Sequence, residues 1–398
     1  MMSWVLAIFA AMLPLYVVRF DVPAFGIVLP TTLLELAFFV VVGVWICEEL
    51  RMGGWKGLMT TLREWRWPIG LFVIASVIGV FLAQDIVGAV GLWRAYIFEP
   101  LVLFVIAKEV MKRDKERERV IAGLSVGLTI IGFIAVVQKI TGYGIPAVWQ
   151  PEGVRRVTAI FGFPNAVGLF CAPLVMIVMA RGIASFTTFA RNDILKALPY
   201  FGAAMVGVLA CLFAKSTGAL FGIAAGFMVL GLGFPKLRVV TLAAVILGCL
   251  LVMLWPELRG FVALAVSLRD DGGYIRAFIW SDTWQMLVAH PVLGVGFGNY
   301  PIGFASFRTR TWIEIFQYPH NILFNFWSEM GLMGVIGFGW IVGKVLKKCI
   351  IGLSKKENYV SVGVLAAMVT LLVHGLVDVP YFKNDLAMMF WLLVALVP

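Results

Sequence analysis

The chain reads as a succession of long apolar runs separated by short polar ones. Apolar runs can be drawn near 3–19, 24–46, 68–83, 93–107, 120–139, 160–180, 197–214, 218–234, 239–256, 321–343, 359–377 and 386–398. Most approach the roughly 20 residues that a helix needs to cross a hydrocarbon core. The pattern predicts an all-α polytopic membrane protein of about 12 transmembrane helices, forming a single membrane domain over residues 1–398. No basic stretch precedes the first run, so it is expected to be a retained helix and not a signal peptide.

One interval departs from this rhythm. Residues 257–320, between the ninth and tenth spans, form a long polar and aromatic stretch expected to be a large extracytoplasmic loop. Within it Ala277, Trp280, Trp284 and Leu287 recur at spacings of three and four, which predicts an amphipathic helix over 276–289 suited to a membrane interface. His290 and Pro291 end that helix. Gly294, Gly296 and Gly298 then alternate in LGVGFGN, where the backbone can turn sharply or approach a ligand. No strand-helix-strand context supports a dinucleotide fold around them.

Composition agrees with the pattern: 62% of residues are hydrophobic and 14% charged, against roughly 25% charged in a soluble domain. The net charge of +10 is mostly topology. Five alternate loops hold 20 of the 32 Lys and Arg residues, as expected if both termini are cytoplasmic. No nucleic-acid partner is needed to explain them, and KEVMKRDKERER at 108–119 reads as a solvated stop-transfer loop. The other twelve, Arg19, Arg94, Lys139, Arg155, Arg156, Lys215, Arg259, Arg269, Arg276, Arg308, Arg310 and Lys383, fall on the outer side. Short outer loops normally avoid cations, so this set asks for an anionic ligand, with a lipid-linked phosphate the natural candidate.

His320, in YPHN at the entry to the tenth span, is placed to take a proton from a sugar hydroxyl, since a neutral imidazole titrates near pH 6.5. Its simpler role would be a hydrogen-bonded interfacial histidine; adjacent Asn321 and mid-span Glu329 weigh against that. His290 reads as a helix-end cap and His374, near Asp378, as a structural polar pair. Arg156, before FGFPN with its Asn165, and Arg276, opening the amphipathic helix, present forked donors that match phosphate oxygens. Lys215 in AKSTG joins them. Glu35, Arg94 and Glu99 are ionisable groups in apolar spans; Arg94 and Glu99 sit five residues apart, reachable only by long side chains. Asp270 and Asp271 are the only adjacent acidic pair in the loop, and no metal-ligand cluster, phosphate-cradling loop or serine elbow is present. Cys47, Cys171, Cys211, Cys249 and Cys349 are scattered and suggest neither disulfides nor zinc.

Four pieces together resemble the O-antigen ligase family, which shares its signature domain with O-antigen polymerases and bacterial protein O-oligosaccharyltransferases. They are RVTAIFGFPN at 156–165, AKSTGA at 214–219, the R-x3-W helix from Arg276 leading into HPVLGVGFGN, and His320-Asn321 with Glu329, Gly331 and Gly334. The resemblance covers roughly residues 150–340; Thr217 stands where the family often has an arginine, leaving Lys215 as the available cation. It implies metal- and nucleotide-independent transfer, without a cofactor, of a glycan from an undecaprenyl diphosphate-linked donor to the hydroxyl of a lipid or glycan acceptor such as lipid A core. The site would face the periplasm, at the outer surface of the bacterial cytoplasmic (inner) membrane, among membrane lipids. By the same resemblance His320 is the base that activates the acceptor and Arg156 and Arg276 hold the diphosphate, Arg276 being catalytic with His320, and Arg155, Asn165, Lys215 and Asn321 are further substrate ligands.

A polymerase extending lipid-linked repeat units would need the same residues. A polysaccharide or lipid transporter would instead place its polar groups near mid-membrane, often between repeated halves. The sequence shows no such repeat.

Overall fold

The computed structural model describes residues 1–24, 27–52, 56–151, 154–186, 191–269, 271–354 and 359–397. It is helical apart from one hairpin. In order come α1 (Met2–Met12), a 3-10 turn at Leu13–Val17, β1 (Arg19–Ala24), β2 (Ile27–Thr32), α2 (Leu33–Met52), α3 (Lys56–Leu82) and α4 (Ile86–Trp93). A π-turn at Arg94–Phe98 leads into α5 (Glu99–Val110), followed by α6 (Asp114–Thr141), α7 (Pro164–Phe186), α8 (Arg191–Phe213), α9 (Thr217–Gly233), α10 (Arg238–Leu254), α11 (Pro256–Val266), α12 (Asp271–Ala289) and α13 (Tyr300–Ala305). The chain closes with α14 (Ile322–Leu353), α15 (Tyr359–Gly375) and α16 (Asn384–Leu396).

Among the described residues seven helical segments are long and apolar enough to cross a membrane, and four shorter apolar ones, over Met2–Val17, Thr217–Gly233, Tyr359–Gly375 and Asn384–Leu396, accompany them. The expected start of a second span at residue 24 is corrected. Residues 19–32 form an antiparallel hairpin, with Val22 opposite Leu29 and Arg19 opposite Thr32, and α2 begins only at Leu33. Pro23 and Pro30 oppose a helix across this stretch, and Val22, Ile27, Val28, Thr31 and Thr32 favour extended backbone.

The bundle centres on α7, which packs against α6, α8, α9 and α15 and is buried along most of its length. Small residues let backbones close up: a Cβ on Gly123 would lie 2.0 Å from the Ala7 carbonyl oxygen, and one on Gly222 2.7 Å from that of Thr370. Beside this centre, Phe72, Phe104, Phe326, Phe338, Tyr381, Phe390 and Trp391 form an aromatic core joining α3, α5, α14 and α16. By contrast no residue of α10 is fully buried.

The two ends of the bundle differ in chemistry. One carries ion pairs and polar ties between helix ends: Glu64 with Lys348 at 2.9 Å, Arg181 with Glu118 at 3.2 Å, Arg119 on Ser3 at 2.7 Å, and Lys108 on the Val397 carbonyl. At the opposite ends of α3, α5, α7, α14 and α16 lie the residues described next.

Candidate active site at one end of the bundle

The glycine-rich segment after α12 threads between α3 and α14. Gly331 breaks α14 internally with φ of +66°, and the carbonyls freed there are met from the loop: Ser328 accepts from the amides of Val295 (2.8 Å) and Gly296 (3.2 Å), while the Leu332 amide donates to Val292 (3.0 Å). Phe297 donates to Gly79 of α3 at 2.8 Å. Approach is too close for side chains: a Cβ on Gly294 would lie 2.3 Å from the Trp327 oxygen, and one on Gly331 2.2 Å from that of Val292. Glu329, 5% exposed, accepts from the Gly298 amide and is also held by the Tyr300 backbone, so it pins this loop.

That packing sets the end of α14, and with it His320. Asn321 is the helix cap: its Oδ1 accepts from the amides of Leu323 (3.0 Å) and Phe324 (3.1 Å), and its Nδ2 donates to Leu376 at 3.0 Å, tying α14 to the end of α15. His320 itself takes a left-handed φ of +50°, a conformation uncommon outside glycine. Its ring lies 5.1 Å from Phe316 and 5.0 Å from Tyr318, and Nδ1 is 3.3 Å from Oδ1 of Asp378. Asp378 is 1% exposed; its Oδ1 also accepts from the Val379 amide (2.9 Å), and Oδ2 accepts from Asn165 Nδ2 at 3.1 Å. Burial alone would raise this carboxyl, but the hydrogen bond and charge of His320, with His374 and Arg276 beyond, hold it well below the ordinary carboxylate range. An ionised Asp378 therefore accepts from His320 Nδ1–H, which leaves Nε2 as the basic nitrogen.

Arg156 sits at the end of the 150–163 loop against the α8–α9 turn: its Nε donates to Ala214 at 3.2 Å and its guanidinium lies 5.2 Å from the centre of the Trp149 ring. Burial, and then the charge of Arg276, lower its pKa. Arg276, on α12, acts electrostatically on Arg156, His374, Asp378 and Tyr318, and its buried Nε has no hydrogen-bond partner. Neither arginine has a carboxylate within ion-pair distance among the described residues. Two guanidiniums that feel each other's charge and have no carboxylate partner among the described residues repel, so an anion between them would relieve the cost.

The other candidates divide. Lys215 occupies the same turn as Ala214, exposed, with φ of +51°. Asn165 meets the site through Asp378, and Asn321 spends its side chain on the cap. Arg155 turns away, donating to Ile140 (2.7 Å) and Lys139 (3.3 Å) at the end of α6. His290 is exposed beside Phe307, and His374 is buried against Gly218, where a Cβ would lie 2.7 Å from its ring. Asp270 lies outside the described residues.

A second polar group borders the first. Arg94 bonds Glu35 (3.0 Å) and reaches Glu99 (3.5 Å), the five-residue pair being made possible by the π-turn, whose wider winding brings i and i+5 to one face. Pro100 cannot donate to the Tyr96 carbonyl, which accepts instead from the Tyr381 hydroxyl at 2.9 Å. Glu35 is further held by Thr31 (2.7 Å) and Asn384 (3.2 Å).

These features define a polytopic helical membrane protein whose helix ends gather a His–Asp pair beside two cations. Residues 202–339, about a third of the chain, match the family model described as O-antigen ligase, so this stretch is similar to that family. No curated protein matches the chain. The matched stretch includes Lys215, Arg276 and His320, whereas Arg156, Asn165 and Asp378 enter the site from outside it. Asp378 was missed as a partner of His320 because 58 residues separate them. Its signal was only that of a carboxylate in the short turn between the last two helices, read instead as the neighbour of His374.

Proposed function

We propose that the protein transfers a glycan from an undecaprenyl diphosphate-linked donor to an acceptor hydroxyl at the outer face of the bacterial cytoplasmic membrane. The observation that carries this reading is the pair of guanidiniums, Arg156 and Arg276, without carboxylate partners beside a histidine that a buried carboxylate orients. His320 Nε2 takes the proton of the acceptor hydroxyl as its oxygen bonds to the anomeric carbon of the donor. The bond from that carbon to the phosphate oxygen breaks, and its electron pair leaves on the diphosphate, where Arg156 and Arg276 offset the growing charge. Asn165 and Asn321 support the Asp378 carboxylate and the backbone of His320, and exposed Lys215 adds long-range attraction for the donor. The guanidiniums take the part that magnesium plays in many phosphate-leaving reactions, so a chelator should leave turnover intact.

Purified protein given lipid-diphosphate-linked glycan and acceptor should release lipid diphosphate, and His320→Ala should lower that rate by about 10²- to 10⁴-fold, the usual contribution of a positioned base. A variant within a few-fold of the parent would remove His320 from the chemistry. A capped acceptor would identify a ligase, and a lengthened lipid-linked chain a polymerase.

A further inference from the structure

Two apolar grooves lie side by side on the lateral surface of the bundle. The first, of about 410 Å³, runs between α1 and α6; the second, of about 450 Å³, runs between α6 and α8, where Pro199 and Val206 line it. Val126 and Ile130 of α6 border both and form the ridge between them, each about half exposed. The helices α1 and α6 run in parallel, Gly123 meeting Ala7 and Gly127 meeting Ala11. Where they begin, Arg119 lines the first groove. Its Nη1 donates to Ser3 Oγ at 2.7 Å, and its guanidinium lies 4.8 Å from the centre of the Trp4 ring, which is 58% exposed.

Size and charge together say what covers these grooves. From Arg119 to Ile130, where the ridge ends, α6 rises about 17 Å at 1.5 Å per residue, and half of a hydrocarbon core is about 15 Å. The grooves therefore have the depth of one leaflet, and a pair of them under one polar mouth matches the two chains of a phospholipid. Arg119 is the one charged residue lining either groove among the described residues. The mouth is also unbalanced in charge. Each nearby acid is bonded to another cation: Glu109 to Lys112 (2.6 Å), Asp114 to Arg117 (2.7 Å), Glu116 to Arg113 and Glu118 to Arg181 (3.2 Å). Glu116 feels the charge of Arg119 but is spent on Arg113. Among the described residues neither Arg119 nor Lys115, exposed one turn earlier, has a carboxylate within ion-pair distance. Snorkelling to water would solvate a free guanidinium, yet Ser3 and Trp4 hold this one against the groove. A fork of donors beside a hydroxyl and an exposed tryptophan suits a phosphate at headgroup level.

We infer that α1, α6 and α8 hold one anionic phospholipid from the leaflet on the basic side of the membrane, with its phosphate on Arg119 and its two acyl chains in the grooves on either side of Val126 and Ile130. Basic pockets between helices on that side are where anionic headgroups bind. The lipid fastens α1, a helix of only 11 residues, to α6. It is not the donor of the proposed reaction, whose diphosphate would lie by Arg156 at the opposite end of the bundle.

The test uses the full chain in detergent, stripped of lipid and then given an equimolar mixture of phosphatidylglycerol and phosphatidylcholine with matched acyl chains. Mass spectra of the intact protein count the lipid retained. The parent is expected to keep phosphatidylglycerol at least fivefold over phosphatidylcholine, and glycerol phosphate, a headgroup without chains, should not displace it at millimolar concentration. Arg119→Gln should bring the ratio below twofold. Arg113→Gln, which removes the same charge from the same loop at a residue that does not line the groove, should leave it unchanged. Val126→Trp, on the ridge, should lower phosphatidylglycerol retention at least fivefold with the lipid-free thermal midpoint unaltered, and it decides the matter should Arg119→Gln fail to fold. Equal retention of the two lipids overturns the inference, as do equal losses in Arg119→Gln and Arg113→Gln, displacement by glycerol phosphate, or undiminished retention in Val126→Trp. A lipid-free dimer that Val126→Trp dissociates also overturns it, because a second copy of the chain would then cover the grooves. None of these readouts depends on turnover, so their failure leaves the transfer reaction standing.

Discussion

At His320 the backbone and the ring are fixed by different parts of the chain: the Asn321 cap and the turn before it set the left-handed φ, and Asp378, from the turn after α15, sets the tautomer. Asp378→Asn keeps the size but can present its amide to Nδ1 and stabilise the wrong tautomer. Turnover should then fall by about 10²- to 10⁴-fold, close to the loss for His320→Ala, because the two groups act as one unit. Single-turnover rates of the two variants and their double variant would check this; additive losses would separate the residues. The lowered pKa of Asp378 also has a stability consequence. Its contribution is fully present above the ordinary carboxylate value, about pH 4, and is lost as pH falls through the lower folded value. The difference in thermal midpoint between parent and Asp378→Asn should therefore shrink on acidification below about pH 4. At the phosphate side Arg276→Lys keeps the charge and loses the fork, so donor KM should rise about tenfold or more, at roughly 1.5–3 kcal/mol for a charge-assisted hydrogen bond. An unchanged donor KM would remove Arg276 from donor binding.

At the scale of the element, the site depends on a helix that is broken on purpose. Gly331 opens α14, the 292–299 loop fills the gap, and Glu329 collects the loop amides. Gly331→Ala meets both a positive φ and a backbone oxygen 2.2 Å from its new Cβ, so it should destabilise by at least about 1–3 kcal/mol. Glu329→Gln, which still offers an oxygen to Gly298, should retain folding, whereas Glu329→Ala leaves buried amides unpaired at about 1–3 kcal/mol; thermal unfolding in detergent distinguishes these outcomes. A catalytic loss in the Gln variant at unchanged stability would show that Glu329 does chemistry. The glycines and Glu329 were visible in the sequence as a pattern, and the helix at 276–289 was visible through its tryptophans. Their partnership was not, because the bonds join the loop to α14 positions 31 to 40 residues away and, through Phe297, to Gly79 of α3. The hairpin at 19–32 was hidden by an apolar composition that reads equally well as helix until Pro23 and Pro30 are weighed. The Arg94–Glu99 pair was judged on ideal helix geometry, which the π-turn changes.

At the scale of the whole molecule, the separation of two chemistries gives the chain a direction. The end holding Glu64, Arg119, Arg181, Lys344 and Lys348 belongs to the loops richest in Lys and Arg, and such loops stay on the cytoplasmic side. The His320 end too holds cations, beside a buried carboxylate and tyrosines; under the proposed reaction they serve a ligand and are not a topology signal. The two cannot share a side, since α3, α5, α7 and α14 each run from one to the other. Single cysteines read this directly. Exposed Cys47 and Cys249 would first be replaced by serine, while Cys171, Cys211 and Cys349, all buried, stay in place. With Glu314→Cys, exposed in the segment that leads to His320, a membrane-impermeant maleimide should label intact cells; with Lys112→Cys, in the basic loop, it should label only after permeabilisation. The reverse pattern would turn Arg156, Arg276 and His320 towards the cytosol, where a donor displayed on the outer leaflet could not reach them, and the transfer reaction would have to be abandoned however well the site geometry suits it.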